Sequence, residues 1–424
     1  MNKEDSLYSI YVQILKEELV MAMGCTEPIA ISYACAKATK ILDHLPDRIV
    51  VKASGSIIKN VKSVIVPHTN GLKGIEVAAA AGALYGDANA KLEVLSSATK
   101  QQIEELPEYV RKTNITVQHI EQGHVFDLEV NVYYEQEHAS VRIVDAHTNI
   151  VQMEKNWEVI YEDKTTNLEH KADHSALIMK QIWDFSQTVD VEDIKEILDQ
   201  QIACNMAIAN EGIHNSYGAN IGHVILNMDS DCVKTKAKAY AAAGSDARMN
   251  GCELPVVINS GSGNQGITCC VPVVVYAKEL NCMEEQLYRA LVLSNLTAIY
   301  IKTGIGTLSA FCGAVSAGAA AGAGIAFLHD GTYEEIQHTI VNALAILSGT
   351  ICDGAKASCA AKIASSVDAG IMGYYMYKNK QQFYAGDGIV AHNVDETIKN
   401  IGTLGSQGML QTNDKIIEMM ISCD

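Results

Sequence analysis

Most of the chemistry available to this chain rests on its cysteines. Twelve occur in 424 residues, and four stand in contexts unlike the others. Cys25 lies in Gly24-Cys25-Thr26-Glu27-Pro28, at a junction between two helical patterns. A thiol beside a helix N-terminus is expected to have a lowered pKa and to serve as a base or nucleophile. Cys312 sits in Phe311-Cys312-Gly313-Ala314, and Cys352 and Cys359 are seven residues apart around Asp353-Gly354. Seven residues make two helical turns, so that pair either shares a face or brackets a loop. Three thiolates converging on one point would suit a 4Fe–4S cluster with one iron left open. A buried cysteine is equally good as a small apolar filler, and spacing alone leaves both readings open. No CxxC pair of the kind found in zinc ribbons and bacterial ferredoxins occurs. Cys35, Cys204, Cys232, Cys252, Cys269, Cys270 and Cys282 read as packing residues. No Ser-His-Asp or HExxH arrangement competes with Cys25 as the reactive group. His214 and His392 are candidate partners for it, although a lone histidine is more often simply hydrogen-bonded.

A second feature is the loop Asn259-Ser260-Gly261-Ser262-Gly263-Asn264-Gln265-Gly266. Gly261, Gly263 and Gly266 fit GxGxxG, and residues 254–258 could supply the preceding strand, so a dinucleotide site is one reading. No βαβ alternation surrounds the loop, which weighs against it. A Gly/Ser/Asn loop entering a helix serves equally well to hold a carboxylate on its backbone amides, or merely to turn the chain. All three readings stay open at this level.

The elements that must position these residues fall into two textures. Residues 6–23 follow 3.6-residue apolar spacing, with Ser6 as the expected N-cap and Gly24 as the stop. Thr26-Glu27-Pro28 then opens a second helix running to Leu42, with Pro28 suited to its first turn. From Arg48 to Asp163 the pattern changes to β-branched runs and alternation. Strands are expected at 49–51, 61–66, 116–119, 125–134 and 140–146, interrupted by an Ala-rich helix at 74–85. Beyond Leu168 the chain is helical and rich in Ala and Gly, and all six prolines lie at or before Pro272. Such a region suits helices that cross closely in a core. The predicted fold class is therefore α+β: a large helical catalytic domain (1–46 plus 168–424) with a small α+β domain (47–167) inserted beside Cys25. A lid over the substrate is the expected role of that insertion.

Composition sets further bounds. Hydrophobic residues reach 48% against 19% charged, enough for a substantial core. The formal net charge of −18 would repel phosphate backbones and anionic membrane faces, so neither nucleic acid nor membrane is an expected partner. Between Lys302 and His329 the only ionisable side chain is Cys312, and Gly318–Gly322 forms a GxxxG. About half of that stretch is Gly and Ala, so a helix buried in a protein core is expected rather than a membrane span. The polar start Met1-Asn2-Lys3-Glu4-Asp5 carries no apolar secretory segment. Reduced thiols, a cytoplasmic location and a homo-oligomer are expected.

Taken together and in this order, the Gly24–Pro28 junction, the Ser260–Gly266 loop, Cys312-Gly313-Ala314 and the Cys352–Cys359 segment resemble the L-cysteine desulfidase family. That family is related to the α chain of iron–sulfur L-serine dehydratases, and the resemblance covers nearly the whole chain. It implies a lyase that breaks L-cysteine down to hydrogen sulfide, ammonia and pyruvate by β-elimination. A 4Fe–4S cluster on Cys312, Cys352 and Cys359 would take part, without pyridoxal phosphate, and Cys25 would accept the proton. Ser260 to Gly266 would hold the carboxylate of an amino-acid substrate. In the serine dehydratase relatives the cluster segment is Cys-Asp-Pro with a longer gap to the next cysteine. Cys352-Asp353-Gly354 and the shorter gap here favour the desulfidase side, with L-serine as the alternative substrate. A C-terminal cysteine can reach the open iron in those relatives, and Cys423 is placed to do so. A dinucleotide-dependent oxidoreductase and a non-catalytic thiol-rich store of iron or sulfide are the competing classes. Should Cys25 not be the base, His214 and Lys356 are the next candidates.

Overall fold

The structure, a computed structural model, describes residues 1–163, 172–306 and 308–421. The expected boundary at 167/168 and Cys423 lie outside those residues. It has the predicted α+β class: one six-stranded sheet with helices on it, and a larger assembly of helices.

The first helix, Ser6–Glu18, is capped by Asp5, whose side chain accepts from the Leu7 amide, so the cap falls one residue before Ser6. It also ends earlier than the apolar spacing predicts. Met21–Met23 leaves it as a strand and pairs antiparallel with Pro255–Val257. That pairing ties the Cys25 junction directly to the segment leading into the glycine loop. The next helix, Thr26–Leu42, starts where predicted, with Cys25 at its N-cap in extended conformation. Pro28 costs nothing in the first turn, where its missing N–H would have had no partner inside the helix.

The sheet runs in the order 114–120, 48–54, 127–134, 137–144, 150–155, 158–162. Arg48–Ser54 lies parallel to Asn114–Ile120, and all the other pairs are antiparallel. Helices Thr26–Leu42 and Ile75–Tyr85 cover it. Ile29, Ala34, Ala38, Ala79 and Ala80 share one apolar cluster with Ile49, Val51, Val130, Val141 and Ile143. The Thr26–Leu42 helix therefore belongs to the packing of the sheet and not, as its place in the chain suggested, to the helical assembly. Its small residues allow this close approach: a Cβ at Gly82 would overlap the Ser32 backbone.

Four segments of this lobe differ from the sequence reading. Residues 61–66 are not a strand; Gly55–Val61 is a helix and the chain then loops. Val61, Val64 and Val66 are fully buried, and a short apolar run buried on all sides looks alike in helix and strand. Lys100–Lys112 is a further helix, fixed by a capping box between Thr99 and Gln102. Strands Ile150–Lys155 and Glu158–Glu162 carry no fully buried residue, so their apolar signal is weak.

In the helical assembly, Gly313–Leu328 is the central element, and every residue from Ala314 to Leu328 is buried. It packs among Gly263–Glu279, Glu284–Ile305, Tyr333–Leu347 and Ser358–Lys378. No helix among the described residues is long and apolar enough to cross a membrane. The GxxxG makes a backbone-to-backbone crossing instead. A Cβ on Gly370 would overlap the Gly318 carbonyl, and one on Gly322 would stand 2.6 Å from the Gly370 carbonyl oxygen. Gly370→Ala should therefore lower stability by about 1–3 kcal/mol, read as a fall in Tm of several degrees in a thermal melt. An unchanged Tm would mean that the two helices do not touch at this point.

Candidate active site

Segments far apart in sequence line one cavity of about 110 Å³. Cys25, Cys312, Cys352 and Cys359 all reach its wall, together with Ser260, Gly261, Ser262, Asn264 and Gln265. Gly263 and Gly266 of the same loop do not; they serve packing. A Cβ on Gly266 would overlap the Val257 carbonyl, and one on Gly263 would overlap the Arg248 guanidinium.

Cys25 is 2% exposed, and its thiol donates to Glu27 Oε2 at 3.1 Å. This overturns the expected thiolate at a helix N-terminus. Burial and then the charge of Glu27 push the Cys25 pKa well above the ordinary thiol value, and Arg248 offsets only part of this. Glu27 behaves in the opposite way. Burial pushes its pKa up, but the charge of His147, the Cys25 thiol, its own backbone amide and Asn60 outweigh that and hold it below the usual range. Asn60 Nδ2 donates to Oε1 at 2.9 Å, and the Thr26 hydroxyl lies 3.2 Å from Oε2. The pair is thus a neutral thiol facing an ionised carboxylate.

The glycine loop turns on two residues with positive φ, Ser260 at 50° and Gly261 at 75°. Asn259 and Ser262 exchange backbone hydrogen bonds across the turn, at 3.1 and 3.0 Å. Ser262 then stands at the N-cap of helix Gly263–Glu279, whose first amides have no partner inside the helix, and Ser262, Asn264 and Gln265 of this helix start line the cavity. The preceding strand is three residues long and lies in a two-stranded antiparallel pair. A dinucleotide site needs a parallel βαβ unit at this point, so that reading has no scaffold here.

A short antiparallel bridge between Phe311 and Ile351 brings two of the remaining cysteines together. The Cys312 amide donates to the Thr350 carbonyl at 3.0 Å, and the Cys352 amide to that of Ala310 at 2.6 Å. The two thiols are close enough to act on each other: the Cys312 thiol, with Lys59 and Lys302 assisting, lowers the pKa of Cys352 against its burial, and Cys352 raises that of Cys312. Cys359 stands in the first turn of Ser358–Lys378, with its sulfur 3.6 Å from the Gly354 carbonyl. Asp353, between them, is held by Lys356 at 2.7 Å and Lys362 at 2.5 Å.

This donor set fits a 4Fe–4S cluster. It offers three thiols on one wall, one of them ionised, and two buried ammonium groups to balance the negative charge. Among the described residues no three His, Cys, Asp or Glu side chains are grouped to hold a single metal ion. A cluster asks less of them, because each cysteine binds a different iron. The described cysteines are all free thiols.

Several lining residues carried no sequence signal. Lys59, Asn60 and His147 come from the sheet lobe, and only the tertiary fold brings them here. Lys302 did leave one, a lone cation at the end of a largely apolar stretch, whereas Arg248, two residues after Asp246, left none. Glu27 stood inside the quoted junction without a role. His214 is on an exposed helix end, bonded to the Asn210 carbonyl at 2.7 Å, and Lys356 is engaged by Asp353; neither these nor His392 line the cavity.

The sequence profile of the serine dehydratase alpha chain matches residues 89–418. The chain belongs to that family. It is also 52% identical to a UPF0597 protein of Desulfitobacterium hafniense, over 100% of this chain and 99% of the relative. UPF0597 proteins of Finegoldia magna and Lachnoclostridium phytofermentans are 48% and 47% identical, over 97% and 98% of this chain and 99% and 100% of theirs. The serine dehydratase alpha chain match includes the glycine loop, Arg248 and the three clustered cysteines, whereas Cys25 and Glu27 precede it. The full-length relatives span both parts.

Glu27→Gln should move Cys25 in a stated direction. Removing the carboxylate charge removes the repulsion that disfavours the thiolate, so the thiol pKa falls. Alkylation of Cys25 followed by mass spectrometry should then begin at lower pH in the variant. An unchanged profile would show that burial alone sets the Cys25 pKa.

Proposed function

We propose that this serine dehydratase alpha chain family member is an iron–sulfur lyase that breaks L-cysteine down to hydrogen sulfide, ammonia and pyruvate. The observation that carries the reading is the convergence of Cys25, the Ser260–Gln265 loop and Cys312, Cys352 and Cys359 on one cavity. Cys312, Cys352 and Cys359 would hold a 4Fe–4S cluster. When bound, it supplies an open iron, a Lewis acid suited to a departing sulfur.

The chain's own groups account for the rest. The first amides of helix Gly263–Glu279 and the loop before it hold the substrate carboxylate. The Cys25 thiol proton passes to Glu27 Oε2, 3.1 Å away, leaving a thiolate at Sγ. That thiolate takes the α-proton of the bound amino acid. The electron pair of the broken Cα–H bond becomes the Cα–Cβ double bond, the Cβ–S bond breaks with its pair on sulfur, and the proton held by Glu27 is given up to that sulfide, which leaves as hydrogen sulfide and restores the thiol–carboxylate pair. The 2-aminoacrylate released takes up water in solution and yields pyruvate and ammonia. Burial keeps the Cys25–Glu27 pair out of bulk water, where both proton transfers would have competitors.

L-Serine is the second reading, favoured by the family match. The cluster segment supports cysteine. Gly354 has φ +94°, and a Cβ there would overlap the Lys59 carbonyl. The proline of the serine dehydratase relatives cannot adopt that φ, so the thiol wall is built differently here.

Anaerobically purified protein should show a broad iron–sulfur shoulder near roughly 400 nm and form pyruvate from cysteine faster than from serine. Cys312→Ser, Cys352→Ser and Cys359→Ser should each lose iron and activity together, while Cys269→Ser, fully buried in helix packing, should keep both. Cys25→Ala should keep the spectrum and lose about 10²–10⁴-fold in turnover. No shoulder after anaerobic reconstitution would sink the reading; faster turnover of serine would transfer it to the dehydratase.

A further inference from the structure

Arg248 is a buried cation on the cavity wall that has a hydrogen-bond donor left without any partner among the described residues. It ends helix Val233–Met249 and is 3% exposed. Its Nη1 donates to Asn264 Oδ1 at 3.2 Å, a neutral acceptor. Its Nε is fully buried with no hydrogen-bond partner, and no carboxylate among the described residues forms an ion pair with it. The two lysines on this wall also donate to neutral oxygens, but both lie within the field of the Cys352 sulfur. Lys59 Nζ donates to Asn413 Oδ1 at 2.8 Å, and Lys302 Nζ donates to the Gly306 carbonyl. A buried guanidinium without a counter-charge is strongly unfavourable, so an anion is expected to complete it.

The position identifies the anion. Arg248 packs directly on Gly263, where a Cβ would overlap its Nε, so the guanidinium stands at the N-terminus of helix Gly263–Glu279. The unpaired amides of that first turn and the guanidinium thus converge on one place, and both favour a planar, bidentate anion.

We propose that Arg248 is the counter-ion that binds the α-carboxylate of the substrate. This rests on the lyase reading for the word substrate, but the binding site itself does not require turnover. Arg248 is close enough to Cys25 for its charge to act on the thiol. A carboxylate held between Arg248 and the loop places the adjacent α-carbon beside Cys25. Asn264 fixes the guanidinium plane, making it a positioning residue. The site would therefore select free α-amino acids and reject their amides and esters, whatever the leaving group on Cβ.

L-Alanine has the carboxylate and amine but no leaving group, so its binding to the holoprotein can be measured by calorimetry without reaction. The wild type should bind L-alanine on the order of 30-fold or more tightly than L-alaninamide. Arg248→Gln should reduce L-alanine to the level of the amide, with iron content and circular dichroism unchanged, and Arg248→Lys should recover part of the difference. Equal binding of acid and amide by the wild type would overturn the proposal even if Arg248→Gln failed to fold. So would an Arg248→Gln protein that still discriminates as the wild type does. If discrimination depends on Arg248 but neither cysteine nor serine yields pyruvate, the lyase reading fails and the carboxylate site stands. If pyruvate forms and the discrimination ignores Arg248, the reverse holds.

Discussion

Glu27 is a carboxylate at 8% exposure that remains ionised, and much of the site is arranged around that charge. Buried alone it would take up a proton. It stays charged because three donors reach its oxygens and His147 adds its charge. Cys25 and Thr26 approach from its own junction, Asn60 from the helix after the first sheet strand, and His147 acts on it from the loop after the 137–144 strand. Asn60 and His147 come from the sheet lobe on which the Glu27 helix packs, so the ionisation of Glu27 is set within that lobe. The same charge keeps Cys25 protonated at rest. The two groups set each other's state, and neither can be assigned a proton without the other.

The opposite wall follows the same electrostatic rule with the signs exchanged. Lys59 and Lys302 are buried cations, and burial lowers both their pKa values, that of Lys302 to about 8. The sulfur of Cys352 counters that loss. The short bridge at Phe311 and Ile351 sets Cys312 beside Cys352, so their proximity is fixed by backbone pairing rather than by side-chain freedom. That pairing is held in turn by helices that cross at Gly318, Gly322 and Gly370 without an intervening side chain. A bulkier residue at that crossing would separate the helix beginning after Cys312 from the one carrying Cys359.

Much of this was legible in the sequence, for reasons that can be stated residue by residue. Pro28 and the Ala-rich run marked the helix after Cys25, and β-branched alternation marked the central strands, because those patterns follow from backbone sterics and one-sided burial. The cysteines of the site stood out through their glycine neighbours. What was not legible required knowledge of surroundings. The state of Cys25 was read from the helix N-terminus beside it, a local cue, and the structure reverses it because burial and Glu27 act more strongly. Lys59, Asn60 and His147 have ordinary neighbours in sequence; only the packing of the lobes gives them a common target. Residues 61–66 were misread because complete burial removes the periodicity that separates helix from strand.

The division of labour across the cavity bears on what the sheet lobe does. A passive lid would contribute shape and little charge. Here Cys25, Glu27, Lys59, Asn60 and His147 all belong to the lobe or to the helix packed on it, whereas the loop amides, Arg248, Lys302 and the clustered cysteines belong to the helical assembly. The Cys25–Glu27 pair thus lies on one side of the seam and the loop amides with Arg248 on the other, while the two lysines beside the clustered cysteines come one from each side. A small relative shift of the two lobes would lengthen the reach from Cys25 to any α-carbon anchored at Arg248, while leaving each half internally intact. Reactivity is therefore a property of the seam, and the pairing of Met21–Met23 with Pro255–Val257 bears directly on it. That strand pair joins the residues just before Cys25 to those just before the glycine loop, holding the Cys25 thiol and the first turn of helix Gly263–Glu279 in one frame.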